Sequence, residues 1–525
     1  MTYRLQPLRG EGAKLWKMMA DADSIETLQQ GMELAIAFGA PIENLLDGVD
    51  VNAGLLVRTS RFKCTLARQP ILDLILLHQL SLAPAGSREA NLREAIRHLE
   101  LKTPMIPHMS GFTGLETFKL SLMPSLDAAS LKGLGAMPNL REFEVQAEKE
   151  GDQQGHLLAL DELEAPSLVK ANLKNIGLSN IEALSQSTQL EQIDLSKNAK
   201  LQSINGLRSS HATLKNINFA GCGDLENIDA LANATKLNQI NLSHCASIKQ
   251  VQALSASTKI EHLYIEDCSA LTSLEGITAS VITPGSYYRV YSLKGCKNLK
   301  NLKGLPSLGA GYDSLELEDM PALESLEGLQ PSPQVKTLRM RNIGVRDMAQ
   351  ITNLKSLQDV SIDKASNLAS VAVLGQLAQI QTASLSGGAL LKELPEQWPQ
   401  SLKKLSLCDF SEIFSLGDLP KGLNHLEIRN CPKITSVTGI SSDCHLLELE
   451  VDQHMIDLSA IANIVIDRVT VHNSTAPKNN IWWSQIFAGF KRLNLSLSFY
   501  RVDDPTFLTE LPQLVSLSPP WKLCE

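Results

Sequence analysis

Nine cysteines and eleven histidines are the residues of this chain best suited to redox, metal or nucleophilic chemistry. Zinc-binding and redox-active thiols need partners at short spacing, as in C-x-x-C, so that two sulfurs can reach one ion or each other. The chain has no such pair. Cys222, Cys245 and Cys268 instead recur every 23 residues, and Cys296 and Cys431 hold the same place in later copies of one repeated unit. In adjacent coils these thiols would stack with parallel side-chain directions, which is poor disulfide geometry. The spacing predicts small buried side chains whose weak S–H donors satisfy turn carbonyls. The histidines are scattered, and none pairs with Cys or carboxylates at metal-ligand spacing. No Walker-type, dinucleotide-binding, H-E-x-x-H or G-x-S-x-G motif stands in a suitable context. No catalytic residue, no cofactor and no metal is expected.

The elements that position these thiols are repeats. From Leu214 the chain runs LKNINFAGCGDLENIDALANATK, then LNQINLSHCASIKQVQALSASTK, then IEHLYIEDCSALTSLEGI. Apolar residues fall at relative positions 0, 3, 5, 11, 14 and 17, with cysteine at position 8. Positions 3 and 5 alternate with polar neighbours, the period-2 mark of a strand with one buried face. Positions 11, 14 and 17 step by three, as in a 3₁₀-like return segment. A unit of this size cannot bury its own apolar face, so units must stack. The frame extends back through Leu190, Leu168, Leu140 and Leu115. It runs forward through Tyr288, Tyr312, Val335, Leu357, Ile380, Leu402, Leu423 and Leu446, with weaker echoes at Ile466 and Phe490.

L-x-x-L-x-L-x-x-C-x-x-L-x-x-I-x-x-L resembles the leucine-rich repeat, in a form where Cys stands for the more usual Asn. The resemblance implies an α/β solenoid: a curved leucine-rich-repeat superhelix with a concave parallel β-sheet. Roughly seventeen units would span residues 109–500. Such repeats serve many unrelated purposes, so the resemblance points to fold and leaves function to particular residues.

Residues 1–108 have another texture and are expected to form an α-helical N-terminal domain capping the solenoid. Helices are predicted over 12–20, 24–37 (N-capped by Ser24), 54–63, 70–79 and 89–100. The segments DVNAG (Asp50 to Gly54) and APAGS (Ala83 to Ser87) lie 33 residues apart and resemble degenerate ankyrin repeats. Ankyrin-like helix pairs and another small helical bundle both fit. The open end of a solenoid needs such a cap. Residues 501–525, with four prolines and Trp521, are expected as a C-terminal capping tail. Insertions break the period at 145–166, 278–287 and 472–489. The last carries Trp482 and Trp483, either packed on the final coils or exposed as an anchor.

Composition narrows the function classes. The apolar fraction of 43% supplies a continuous core, while 5% aromatics fits a leucine-built solenoid. The net charge of −9 lacks the basic footprint of a nucleic-acid binder, so no nucleic acid is expected. Residues 1–108 carry twelve basic and twelve acidic side chains, so the acidic excess belongs to the repeats. No apolar run reaches the roughly 18–20 residues that cross a bilayer. No uninterrupted apolar stretch like that of a secretory signal opens the chain, so a cytoplasmic protein without membrane contact is expected.

The informative residues are then the outward positions 2, 4, 6 and 7 of each strand. They present His262, Tyr264 and Glu266, then Glu316 and Glu318, then Arg339 and Arg341, then Asp363, and near the end His425 and Arg429. An acidic band beside a basic one could steer a complementary protein partner and fix its register. Tyr and Arg are common interface anchors. The same charges also suit a merely solvated face. The outward positions of earlier coils (Asn172, Asn216, Asn218, Asn241) are small and uncharged. The expected function is a non-enzymatic protein–protein interaction scaffold: a sensor arm, an adaptor or a toxin-neutralising partner. The alternative is a host-directed effector or regulatory subunit acting with a separate catalytic partner.

Overall fold

The computed structural model describes residues 163–277, 290–309 and 311–437 continuously, most of 80–122, and 134–147. Beyond these it describes shorter segments, chiefly strands, at 49–52, 55–58, 281–282, 439–441, 444–452, 464–472, 493–498 and 514–518. The chain divides into two compact units. The first is Met1–Cys268 with Gly276–Ala279, and the second is Ser269–Glu275 with Ser280–Glu525.

In the first unit, ten described strands form one sheet in sequence order. All pairs are parallel except the first, where Val49–Asn52 meets Leu55–Arg58 antiparallel. The repeats contribute strands of three residues, such as Gln192–Asp194, Asn216–Asn218, Gln239–Asn241 and His262–Tyr264. Register is strict: Gln192 lies opposite Asn216, Asn216 opposite Gln239, and Gln239 opposite His262. Equal positions of successive repeats therefore stand in columns across the sheet. The leucine and isoleucine columns are buried, Leu214, Leu237 and Leu254 to 0% exposure. Return segments follow as short 3₁₀ turns, for example Asp229–Leu231 after Ile228 and Gln252–Ala256 after Val251.

In the second unit, eleven described strands form a parallel sheet in sequence order. It runs from Val290–Ser292 through Ser314–Met320, Thr337–Ile343, Asp359–Asp363, Thr382–Ser386, Lys404–Cys408, His425–Arg429 and His445–Asp452 to Leu514–Ser518. Leu338 and Met340, and likewise Val360 and Ile362, point into the core, while Arg339 and Arg341 alternate to the exposed face. Val281–Ile282, inside the insertion expected at 278–287, pairs with Ser307–Leu308.

The N-terminal expectation meets a different structure where residues are described. Leu55–Arg58, expected within a helix, is a strand whose register places Asn52 opposite Leu55. The helix expected over 89–100 covers Arg88–Ala95 only, with the Ser87 hydroxyl accepting from the Ala90 amide at 3.0 Å. It stops because His98–Thr103 alternates with period 2: Leu99 and Leu101 bury to 7% as a strand. A parallel sheet built on that pattern outweighs the helical propensity of the same residues. Parallel pairing in the first unit thus starts ahead of residue 109, and in the second unit the sheet includes Leu514–Ser518, where a tail was expected. The predicted helices over 12–20 and most of 24–37, the two tryptophans and Trp521 lie outside the described residues. The helix over 70–79 is described only at Leu77, which is helical.

Candidate functional site

In several coils the strand end is closed by a Cys or Asn side chain at position 8 that reaches back one coil, whereas Met320, Ile343, Ala365 and Gly388 hold that place in others. The Cys222 thiol donates to the Leu195 carbonyl at 3.2 Å, Cys245 to Phe219 at 3.2 Å and Cys268 to Leu242 at 3.1 Å. Cys431 reaches Leu407 at 3.6 Å. In the coil at Leu190 the same place holds Asn198. Its amide donates to Leu173 and Leu195 at 2.8 and 2.7 Å and accepts from the Ile176 and Leu178 amides. All five cysteines of the repeat are buried and unbridged, as their spacing predicts. Burial, with Cys245 beside it, pushes the Cys222 thiol far up, and burial pushes Cys245 up to about 12. These thiols are structural donors with little thiolate at neutral pH.

One parallel strand per coil, a 3₁₀ return and a backward-reaching Asn or Cys decide the architecture. The coils are built like leucine-rich repeats. No protein-family model matches the chain, and no curated protein matches it. Among solved structures, an internalin from Listeria monocytogenes is similar at 14% identity over 67% of this chain and 93% of that one, with a TM-score of 0.36. A leucine-rich-repeat protein from Leptospira interrogans is similar at 16% identity over 64% and 89%, with a TM-score of 0.31. The functional domain of InlJ from Listeria monocytogenes, which includes a cysteine ladder, is similar at 14% identity over 74% and 77%, with a TM-score of 0.27. Likenesses of this size carry no argument about binding, so the leucine-rich repeats must be read from their own surface.

The outward face of the repeats divides by chemistry. In the coils that begin at Leu190, Leu214 and Leu237, position 4 holds a short amide or acid that turns the chain. Asp194, Asn218 and Asn241 accept from the amides of Ser196, Ala220 and Ser243 at 2.8, 3.1 and 3.0 Å. This explains the short side chains at these places, amides at Asn218 and Asn241 and an acid at Asp194. His262, Tyr264 and Glu266 follow, each half-buried, and belong to this unit.

The other expected residues lie in the second unit. Register sets Glu316 opposite Arg339, Glu318 opposite Arg341, and Arg341 opposite Asp363. The side chains follow that register: Glu316 to Arg339 at 2.7 Å, Glu318 to Arg341 at 3.5 Å and Arg341 to Asp363 at 3.3 Å. Lys294 reaches Glu318 at 3.3 Å, and Ser386 donates to Asp363 at 2.6 Å. The acidic and basic bands are therefore one lattice of alternating charge. Further on, His425 lies 3.6 Å from Glu450, and Arg429 pairs with Glu427. Burial works against the charge on Arg429, but Glu427 and neighbouring groups outweigh it and its pKa is raised.

Two outward assignments need correction. Ser314 and Glu427 are buried, at 5% and 8% exposure, rather than presented to solvent. Position 7 is the left-handed turn that ends each strand: Lys197, His244, Asp267, Asp319, Asn342, Lys364, Asp409 and Asn430 all have φ between 50° and 64°. Asn, Asp and Gly dominate there because they tolerate that region. The bias was visible in the sequence, but charge at this position reflects backbone conformation as well as surface.

Proposed function

We propose that the chain is a non-enzymatic scaffold that recognises a protein partner through the exposed strand face of its leucine-rich repeats. The observation that carries this reading is the charge lattice on three adjacent strands. Arg339 and Arg341 are exposed, yet each is held by carboxylates at a fixed place. Pairs of this kind add little stability, about 0–1 kcal/mol each. They do arrange charge in a defined pattern, which serves specificity and orientation of a protein surface. Arginines positioned in advance lose less side-chain entropy on binding. The described residues contain no helix long and apolar enough to cross a membrane.

The experiment is affinity purification with the tagged full chain, beside an Arg339→Ala/Arg341→Ala variant. A stoichiometric protein recovered with the first and lost with the second supports the reading. The same protein recovered equally with a folded double variant overturns this choice of surface.

A further inference from the structure

We propose that the second unit carries a divalent transition-metal site of the zinc class, formed by His425, Glu427 and Glu450 on two neighbouring strands. The inference is independent of the proposed function. One ligand atom from each residue lies within 4.8 Å of the others. His425 and Glu427 project from one face of His425–Arg429, and register sets Glu427 opposite Glu450 on the next strand. Tetrahedral coordination with bonds of about 2.1 Å needs donors about 3.4 Å apart, a closure of up to about 1.4 Å that side-chain rotation supplies.

A second observation points to the same spot. Ser406 lies opposite Glu427 on the preceding strand, between core-facing Leu405 and Leu407, so alternation puts its hydroxyl on the face that Glu427 occupies. Ser406 is 6% exposed and its oxygen has no hydrogen-bond partner. An orphaned buried hydroxyl is costly and calls for a polar neighbour, which an ion with its bound water or a reoriented carboxylate provides. Glu427 is itself 8% exposed, an unusual place for a carboxylate in a solvated face. The Cys408 thiol, 3.7 Å from Glu427, adds a soft donor at the rim.

The donor set selects the ion. Imidazole with carboxylates suits zinc, cobalt and nickel, whereas calcium and magnesium favour all-oxygen sites. Arg429 pairs with Glu427. It therefore competes with the cation and must release one carboxylate oxygen. The ion would cross-link two coils, since its ligands come from both.

The test is calorimetric titration of the chelator-treated full chain with zinc chloride, repeated with cobalt chloride, and with excess magnesium as competitor. One ion per chain is expected, displaced little by magnesium. Binding should weaken about tenfold or more in His425→Ala and in Glu450→Gln, as loss of a ligand requires. Arg429→Gln should bind equally or more tightly. Zinc should raise the melting temperature of the unaltered chain and not that of Glu450→Gln. Absence of saturable binding, equal binding in both ligand variants, weaker binding in Arg429→Gln, or full displacement by magnesium would each overturn the assignment. Should His425→Ala fail to fold, Glu450→Gln and Arg429→Gln decide the matter.

Discussion

The thiol of Cys245 donates to the carbonyl of Phe219 at 3.2 Å, joining the turn of one coil to the strand end of the coil before it. The carbonyl is buried, and the thiol is its link across the coil boundary. Burial holds the thiol protonated, its pKa moved from 9.0 to about 12. Between those values the unfolded chain sheds a proton that the folded chain keeps. Stability is then fully present below pH 9 and falls as pH rises toward 12, by at most about 1.4 kcal/mol per pH unit for each such thiol. Denaturant melts from pH 8 to 11 should show this decline, and Cys245→Ala should lessen its slope while lowering stability at neutral pH.

Asn198 makes the corresponding bonds with both ends of its amide, to two carbonyls and two amides of the neighbouring coil and its own. Asn198→Ala leaves several buried backbone groups without partners, each worth about 1–3 kcal/mol. It should destabilise the first unit more than Cys245→Ala does. Urea titration of both variants checks the order.

The left-handed turn gives a prediction of opposite sign. Lys364 adopts φ 56°, a region that disfavours side chains with a Cβ by about 1–2 kcal/mol. Lys364→Gly should raise the melting temperature, less the added freedom of the unfolded glycine. Gly328, at φ 99°, lies where a Cβ would come within 2.3 Å of the Lys303 amide nitrogen. Gly328→Ala should destabilise by at least about 1 kcal/mol, since two backbones meet there. Thermal melts of the pair should move in opposite directions.

The coil was legible because leucine, isoleucine and cysteine at fixed offsets each mark a buried column, and burial follows those offsets in both units. The cysteine ladder was legible for the same reason: period alone identified the thiols as structural. Leu55–Arg58 and His98–Thr103 were not, because a few apolar residues in a short stretch satisfy helix and strand periodicities alike. Only the neighbouring strand decides between them. The meeting of His425 and Glu450 was hidden for another reason. Metal-ligand spacing rules look along the chain, whereas a solenoid brings residues one repeat apart to within 3.6 Å. In such a fold the repeat period is itself a contact distance.

Arg341 joins carboxylates on both neighbouring strands, so its removal should disturb recognition far more than folding. Arg341→Ala should cost no more than about 1 kcal/mol of stability, because the pairs are exposed. Chemical denaturation checks that bound before any binding measurement is interpreted.

The decisive measurement is the affinity of the stoichiometric partner for the full chain and for Arg339→Ala/Arg341→Ala, by titration calorimetry at two salt concentrations. Loss of an anchoring arginine pair predicts affinity at least about thirtyfold weaker, near 2 kcal/mol, with an unchanged melting temperature and a flatter salt dependence. Equal affinity and equal salt dependence in a variant that melts normally would contradict the account.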